Sequence, residues 1–323
     1  MGQLIKLQDY ISRYEQNIYL YPARFVRLKQ QQWAKLNEGW ERNQFEEWIE
    51  QQQPAAAEII EEKPSIKDKV KGLLSRKQKA NSGSILPSPE IVQLEKQEDS
   101  FDFQAVFTVK PHSSEDLKQQ YLDQLFRFQM KWASSTLTEK SNIQRQYYYE
   151  EKLKYLLQRF PDTFLVLYDP IFKVKSAPIA LETIVITPTE VWCVSFLEEE
   201  DLMVYTGSSE HFWAGKSQRQ DKKVLNPLFA LNRTAQVIKP IFRKHSIDLP
   251  VKQIVLSRNG YIDYPSVPNG YHIIDRKNYE EWFSKMRSMR SPLKNHQLKA
   301  ARSLLIYGDI QAFRRHEWDA MEE

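Results

Sequence analysis

Two short apolar runs separated by a three-residue turn constrain this chain most. Glu182 to Thr187 reads ETIVIT, Val191 to Leu197 reads VWCVSFL, and Pro188-Thr189-Glu190 lies between them. Short runs rich in β-branched and aromatic residues, bounded by turn residues, predict strands. Phe164 to Tyr168 predicts an earlier strand that Ile171 to Val174 extends past Pro170, and Leu202 to Thr206 a later one. Ahead of them, the capping-box pattern Thr136-x-x-Glu139 predicts the start of a helix that runs to about Phe160 and buries Leu153, Leu156 and Leu157. Behind them, Asn226-Pro227 opens a helix reaching about His245. Val251 to Ser257 and Tyr271 to Ile274 predict further strands, and Asn278 to Met289 and Leu293 to Tyr307 closing helices. This order predicts a mixed α and β fold, α+β in class, with a small central sheet flanked by helices.

The first hundred residues read differently. Leu4, Leu7, Ile11, Tyr14 and Ile18 are spaced 3, 4, 3 and 4 apart, which predicts one face of a helix. A second helix is predicted over 23–52, with Val26, Trp33, Leu36 and Trp40 on one side and Phe45, Trp48 and Ile49 beyond. Residues 1–52 therefore predict an N-terminal helical arm whose aromatic stripe docks on its own domain, on a protein partner or on a second copy. Residues 53–100 are polar and punctuated by Pro54, Pro64, Ser82-Gly83-Ser84, Pro87 and Pro89, which predicts a flexible linker. From 101 to 323 order returns, beginning with the alternation of Phe101, Phe103, Ala105, Phe107 and Val109, which predicts a strand.

Composition excludes several classes. The chain carries 16 Tyr, 16 Phe and 8 Trp, too much aromatic material for a wholly disordered protein. No apolar run reaches the ~18 residues a membrane-spanning helix needs, so no membrane partner is expected. The start MGQLIKLQDY lacks the apolar centre of a secretory signal, and Lys6 stands where a myristoylation motif has Ser or Thr. The lone Cys193 cannot form an internal disulfide. A cytoplasmic setting is the expectation. The six histidines show no metal-ligand spacing, and no phosphate-cradling glycine loop is present.

Several pieces of the second half resemble the nuclease-related domain (NERD) family of bacterial proteins, which has the PD-(D/E)xK nuclease-like fold. Glu150-Glu151 ahead of LKYLLQRF resembles the family's helix start, and FLVLYDPIF its first strand pair. ETIVITPTEVWCVSF resembles its hairpin, in which an acid opens one strand and an acid-x-Lys ends the next. Gly207, Trp213 and Asn226-Pro227-Leu228 fall where the family has matching residues. The resemblance implies a PD-(D/E)xK-like core over roughly residues 145–285 and a Mg²⁺-dependent nuclease ancestry. It also shows a departure. With Glu182 as the first acid, the second falls on Ser195 and the Lys on Leu197. Neither holds a hard cation or moves a proton. No cofactor and no metal site are expected, unless the site is rebuilt from Glu151, Glu182 and Lys173 or Lys175 as remnant catalytic candidates.

Charge supplies the other candidates. Net charge is only +4, but basic residues cluster. Lys285, Arg287, Arg290, Lys294, Lys299 and Arg302 occur without an acid in 285–303. Lys216, Arg219, Lys222 and Lys223 surround the single acid Asp221, and a third run lies in 64–80. Such clusters give salt-dependent binding to DNA or RNA, or form solvated helix faces. The leading expectation is a catalytically inactive nuclease-related protein that binds nucleic acid electrostatically in an accessory role. An interaction protein docking through the aromatic arm, and a divergent metal-dependent nuclease, are the alternatives.

Overall fold

The computed structural model describes residues 1–46, 49, 103–107, 109–175, 177–217 and 221–315. The expected linker, the basic run at 64–80, Trp48 and Arg219 lie outside them. In chain order the elements are β1 (Gln3–Leu7), α1 (Arg13–Gln16), α2 (Tyr21–Glu41), α3 (Ser114–Trp132), β2 (Glu139–Lys140), a 3₁₀ turn (Arg145–Tyr148), α4 (Glu151–Arg159), β3 (Leu165–Tyr168), β4 (Ile171–Val174), β5 (Ala177–Ala180), β6 (Thr183–Ile186), β7 (Val191–Phe196), β8 (Val204–Thr206), β9 (Phe212–Lys216), β10 (Asp221–Leu225), α5 (Pro227–Lys244), β11 (Val251–Leu256), β12 (Tyr261–Asp263), β13 (Tyr271–Ile274), α6 (Tyr279–Arg287), α7 (Asn295–Leu305) and β14 (Phe313–Arg314). The fold is mixed α+β. Two compact units divide the chain, Met1–Val26 with Leu125–Glu323, and Arg27–Gln124. This division differs from the one expected at residues 52 and 100.

In the larger unit a six-stranded sheet has the order β1-β3-β6-β7-β11-β13. β3, β6 and β7 run antiparallel in succession, and β11 and β13 lie parallel to β7. One face packs on α4 and α6, where Leu153, Leu156, Leu157 and Met286 meet Val185, Trp192, Val194 and Ile254. The other packs on α5 and α7, through Leu231, Ala235 and Ile238 and through Ala300, Ala301 and Leu304. A second sheet has the order β10-β9-β8-β12.

The N-terminal segment corrects the expected helix. Gln3–Leu7 is a fully buried strand parallel to β3, with Leu7 beside Tyr168. Gly2 lets the chain just before β1 lie against α4, since a Cβ there would lie 2.9 Å from the Leu156 carbonyl oxygen. The outer side of β1 is closed by one side chain. Gln129, itself fully buried, accepts from Leu4 N (2.6 Å) and donates to the Gly2 carbonyl (2.9 Å). An amide side chain thus replaces a neighbouring strand and satisfies an edge that would otherwise bury bare backbone.

The helix expected from Thr136 is shorter. Thr136 Oγ1 does accept from Glu139 N (3.1 Å), but that bond closes the turn leading into β2. The helix begins only at Glu151, capped by Glu150. Ile171–Val174 does not extend β3 but pairs with β5 in a separate hairpin.

In the smaller unit, Phe103, Ala105 and Phe107 are buried and Gln104 and Val106 exposed, the expected alternation, yet no strand forms over 103–107. Instead the Gln124 side chain bonds Val106 through both its oxygen and its nitrogen, each at 2.8 Å. The aromatic stripe packs within this unit. Trp33 lies 5.5 Å from Tyr121, Trp40 5.8 Å from Phe45, and Leu36 is buried.

Candidate functional site

The ends of β3, β6 and β7 gather carboxylates. Asp169 follows β3 with φ +43°, a left-handed conformation that Asp tolerates, and Thr183 Oγ1 donates to its carboxylate at 2.6 Å. Glu182, just before β6, has its N–H bonded to Thr234 Oγ1 of α5 at 2.9 Å. Its carboxylate accepts from Ser195, the residue at the expected second-acid position. Burial raises both carboxyls above the ordinary carboxylate range, opposed for Asp169 by the Thr183 hydrogen bond and for Glu182 by the Ser195 hydrogen bond and by Arg233 and Lys152. Glu150 acts on Asp169 as a third acid and bonds the Tyr168 hydroxyl.

The sequence candidates are only partly gathered. Glu182 belongs to the group, with the Asp169 charge acting on it. Glu151 is exposed at the mouth of a neighbouring cleft, and it is Glu150 that faces Asp169. Lys173 and Lys175 are exposed on the β4–β5 hairpin, and the cations acting on Glu182 are Arg233 and Lys152. Asp169, Lys152 and Arg233 were not singled out in the sequence. Asp169 before Pro170 at a strand end was the available signal for the first, and nothing marked the other two.

The cleft beside this group has a volume of about 620 Å³ and lies at the start of α4 and beyond the ends of β7 and β11. Its charged lining is Glu150, Glu151, Glu198 and Asp201 against Lys152 and Arg258. Acids dominate, so a phosphate backbone is not favoured here. Arg258 is held in a fork by Glu198, at 2.7 and 2.6 Å, and its guanidinium lies 4.2 Å from the centre of the Tyr155 ring. The other acids of this turn are also engaged: Glu200 with Lys222 (3.0 Å) and Ser217 (2.9 Å), and Asp201 with Asn259 (3.0 Å).

The residues do not fit the Mg²⁺ that the nuclease resemblance implies. Leu197 is buried in the core at the Lys position, and Ser195 offers only a neutral hydroxyl where the second acid would stand. Among the described residues, no group of three or more His, Cys, Asp or Glu side chains is placed to hold a metal ion. Cys193 is fully buried with its thiol pushed up to about 12, which suits a structural residue and not a nucleophile.

The raised carboxyls set a pH dependence. A folded-state pKa above the unfolded value means the folded chain prefers the proton. That stabilisation is complete below the ordinary carboxylate range and is lost as pH rises through the raised values. The double substitution Asp169→Asn with Glu182→Gln removes the charge but keeps an acceptor oxygen for Thr183 and Ser195. It is expected to unfold at higher urea than the wild type at pH 8, with the difference shrinking as pH falls and vanishing below the ordinary carboxylate range. A double variant less stable than the wild type at pH 8 would show that the carboxylates are needed in their charged form.

Of the expected nucleic-acid contacts, Lys216, Lys223, Lys285, Arg287, Arg290 and Lys294 are all exposed. Lys222 is paired with Glu200 and, at 4.0 Å, with Glu199, so its charge is offset. No helix among the described residues is long and apolar enough to cross a membrane.

No family model and no solved structure matches the chain. A curated protein from Geobacillus stearothermophilus named RNA 2',3'-cyclic phosphodiesterase is 33% identical over 129 residues, which are 40% of this chain and 36% of that protein. The match thus spans about a third of that relative's length.

Proposed function

We propose that this chain binds nucleic acid, with RNA as the first candidate, on a nuclease-like scaffold that has lost its metal chemistry. One observation carries the reading. Lys285, Arg287, Arg290, Lys294, Lys299 and Arg302 are all exposed, none is ion-paired among the described residues, and 285–303 contains no acid. Exposed cations of this kind release counterions on meeting phosphates, whatever the base sequence. The name of the Geobacillus stearothermophilus relative supports RNA as the ligand class. The succession α4, β3-β6-β7 antiparallel, α5, β11 parallel to β7 supports the nuclease-like scaffold, a member or divergent relative of the NERD family. The test is binding of labelled single-stranded and duplex RNA and DNA to the wild type and to a variant with Lys285, Arg287, Arg290 and Lys294 changed to Glu. The variant is expected to lose at least about tenfold in affinity at low salt. Equal affinities would sink the reading.

A second reading rests on the protonatable pair Asp169 and Glu182 beside Lys152. Carboxyls raised by burial serve general acid–base chemistry without a metal. Cleavage of RNA or of a 2',3'-cyclic nucleotide in EDTA, abolished by Asp169→Asn, would favour a hydrolase.

A further inference from the structure

The second sheet has two unlike faces. On β9 the inward residues are Trp213 and Gly215, the former fully buried with its indole N–H bonded to the Ser208 carbonyl at 2.9 Å. Gly215 packs so closely that a Cβ would lie 2.8 Å from Met203 Sδ. The inner face is therefore fixed. The outward residues Phe212, Ala214 and Lys216 are exposed, as are Lys223 and Leu225 on β10. Register sets Phe212 opposite Leu225, Ala214 opposite Lys223 and Lys216 opposite Asp221. Phe212 is 50% exposed, and the His211 ring lies 5.0 Å from it. His211 in turn lies 5.3 Å from Phe229, which is 46% exposed in the first turn of α5. Three exposed rings thus contact one another in succession, and two exposed lysines lie farther along the face that carries Phe212.

We infer that this face of the β8–β10 sheet, with Phe212, His211 and Phe229 as its rings and Lys216 and Lys223 as its cations, is a stacking platform for single-stranded nucleic acid. The inference rests on the nucleic-acid reading above and gives it a second surface. Unpaired bases offer a free π-face to exposed rings, whereas a duplex hides it. Lys223 and Lys216 lie one and two cross-strand pairs along the same face from Phe212, and cations there suit a phosphate backbone better than an apolar protein face does. Of the described charges exposed on β9 and β10, two are cations and one is an acid. Lys222, on the other face, is already held by Glu200.

The experiment measures anisotropy of labelled oligouridine RNA, and of an RNA duplex of equal length, with the wild type and with Phe212→Ala/Phe229→Ala across a salt series. Both rings are exposed, and an unchanged near-ultraviolet dichroism outside their own contribution verifies the fold. The double variant is expected to lose about tenfold or more in oligouridine affinity. Its salt slope and duplex affinity should not change, because the lost contacts are uncharged. A wild type that binds oligouridine, with a double variant that binds it equally well, overturns the platform and leaves the exposed cations of 285–302 as the binding groups. A wild type that binds neither RNA overturns both readings. A concentration-dependent mass that disappears in the double variant marks the face as a protein interface and also overturns the platform.

Discussion

Replacing Lys6 by methionine is expected to cost about 3–5 kcal/mol of folding stability, read as a lower urea midpoint with an unchanged slope. Lys6 has no exposed surface, and each of its three ammonium protons has an acceptor: the Tyr10 carbonyl at 2.8 Å, Glu15 Oε1 at 2.6 Å and the Asp309 carbonyl at 2.9 Å. One charge thereby ties β1 to α1 and to the segment after α7. Methionine has similar volume but no donor, so two carbonyls and a largely buried carboxylate lose their partner at once. Burial already raises the Glu15 carboxyl, and Lys6 is the main opposing influence. Without Lys6 that carboxyl rises further. The variant's deficit is therefore expected to shrink as pH falls through the raised value, where the proton replaces the lost ammonium. A loss under about 1 kcal/mol that is flat with pH would contradict this arrangement.

Truncating Trp132 to alanine is the second large effect, again about 3–5 kcal/mol. Trp132 is 1% exposed at the end of α3. Tyr14, Tyr21, Phe25 and Phe128 surround its ring at centroid distances of 5.9, 5.6, 6.2 and 4.9 Å. Three of those four rings come from the first 26 residues, so the N-terminal segment is part of the core. If that segment were a detachable arm, removing residues 1–26 would leave a folded remainder and Trp132→Ala would be mild. The expected result is an early unfolding midpoint for Trp132→Ala, compared by calorimetry with the wild type.

The sequence made the central strands legible because β6 and β7 carry unbroken apolar runs, and Asn226-Pro227 marked α5 to the residue. It misread the start for a physical reason. A strand buried on both faces shows no alternation, so Leu4 and Leu7 joined Ile11 and Tyr14 in a helical spacing that the chain does not use. Gln129 bonds the edge of β1, and Gln124 the backbone of Val106, each from within a helix, which no local pattern reveals. β9 and β10, with sequences FWAGK and DKKVL, bury one face only and lack β-branched runs, so they were missed. At the candidate site Glu182 was legible from the hairpin pattern. Asp169, Lys152 and Arg233 reach it through strand pairing and helix packing, and their neighbourhood exists only in the folded chain.

The salt dependence of RNA binding by the wild-type protein tests the central claim most directly. Each phosphate neutralised on a single strand contributes about −0.7 to the slope of log affinity against log salt. If several cations of 285–302 meet the backbone together, affinity should fall steeply and linearly on that plot, with a slope of about −3 or steeper for four contacts. A slope near zero, or no binding at low salt, would contradict the account and leave the acidic cleft beside Asp169 and Glu182 as the place to look for this protein's chemistry.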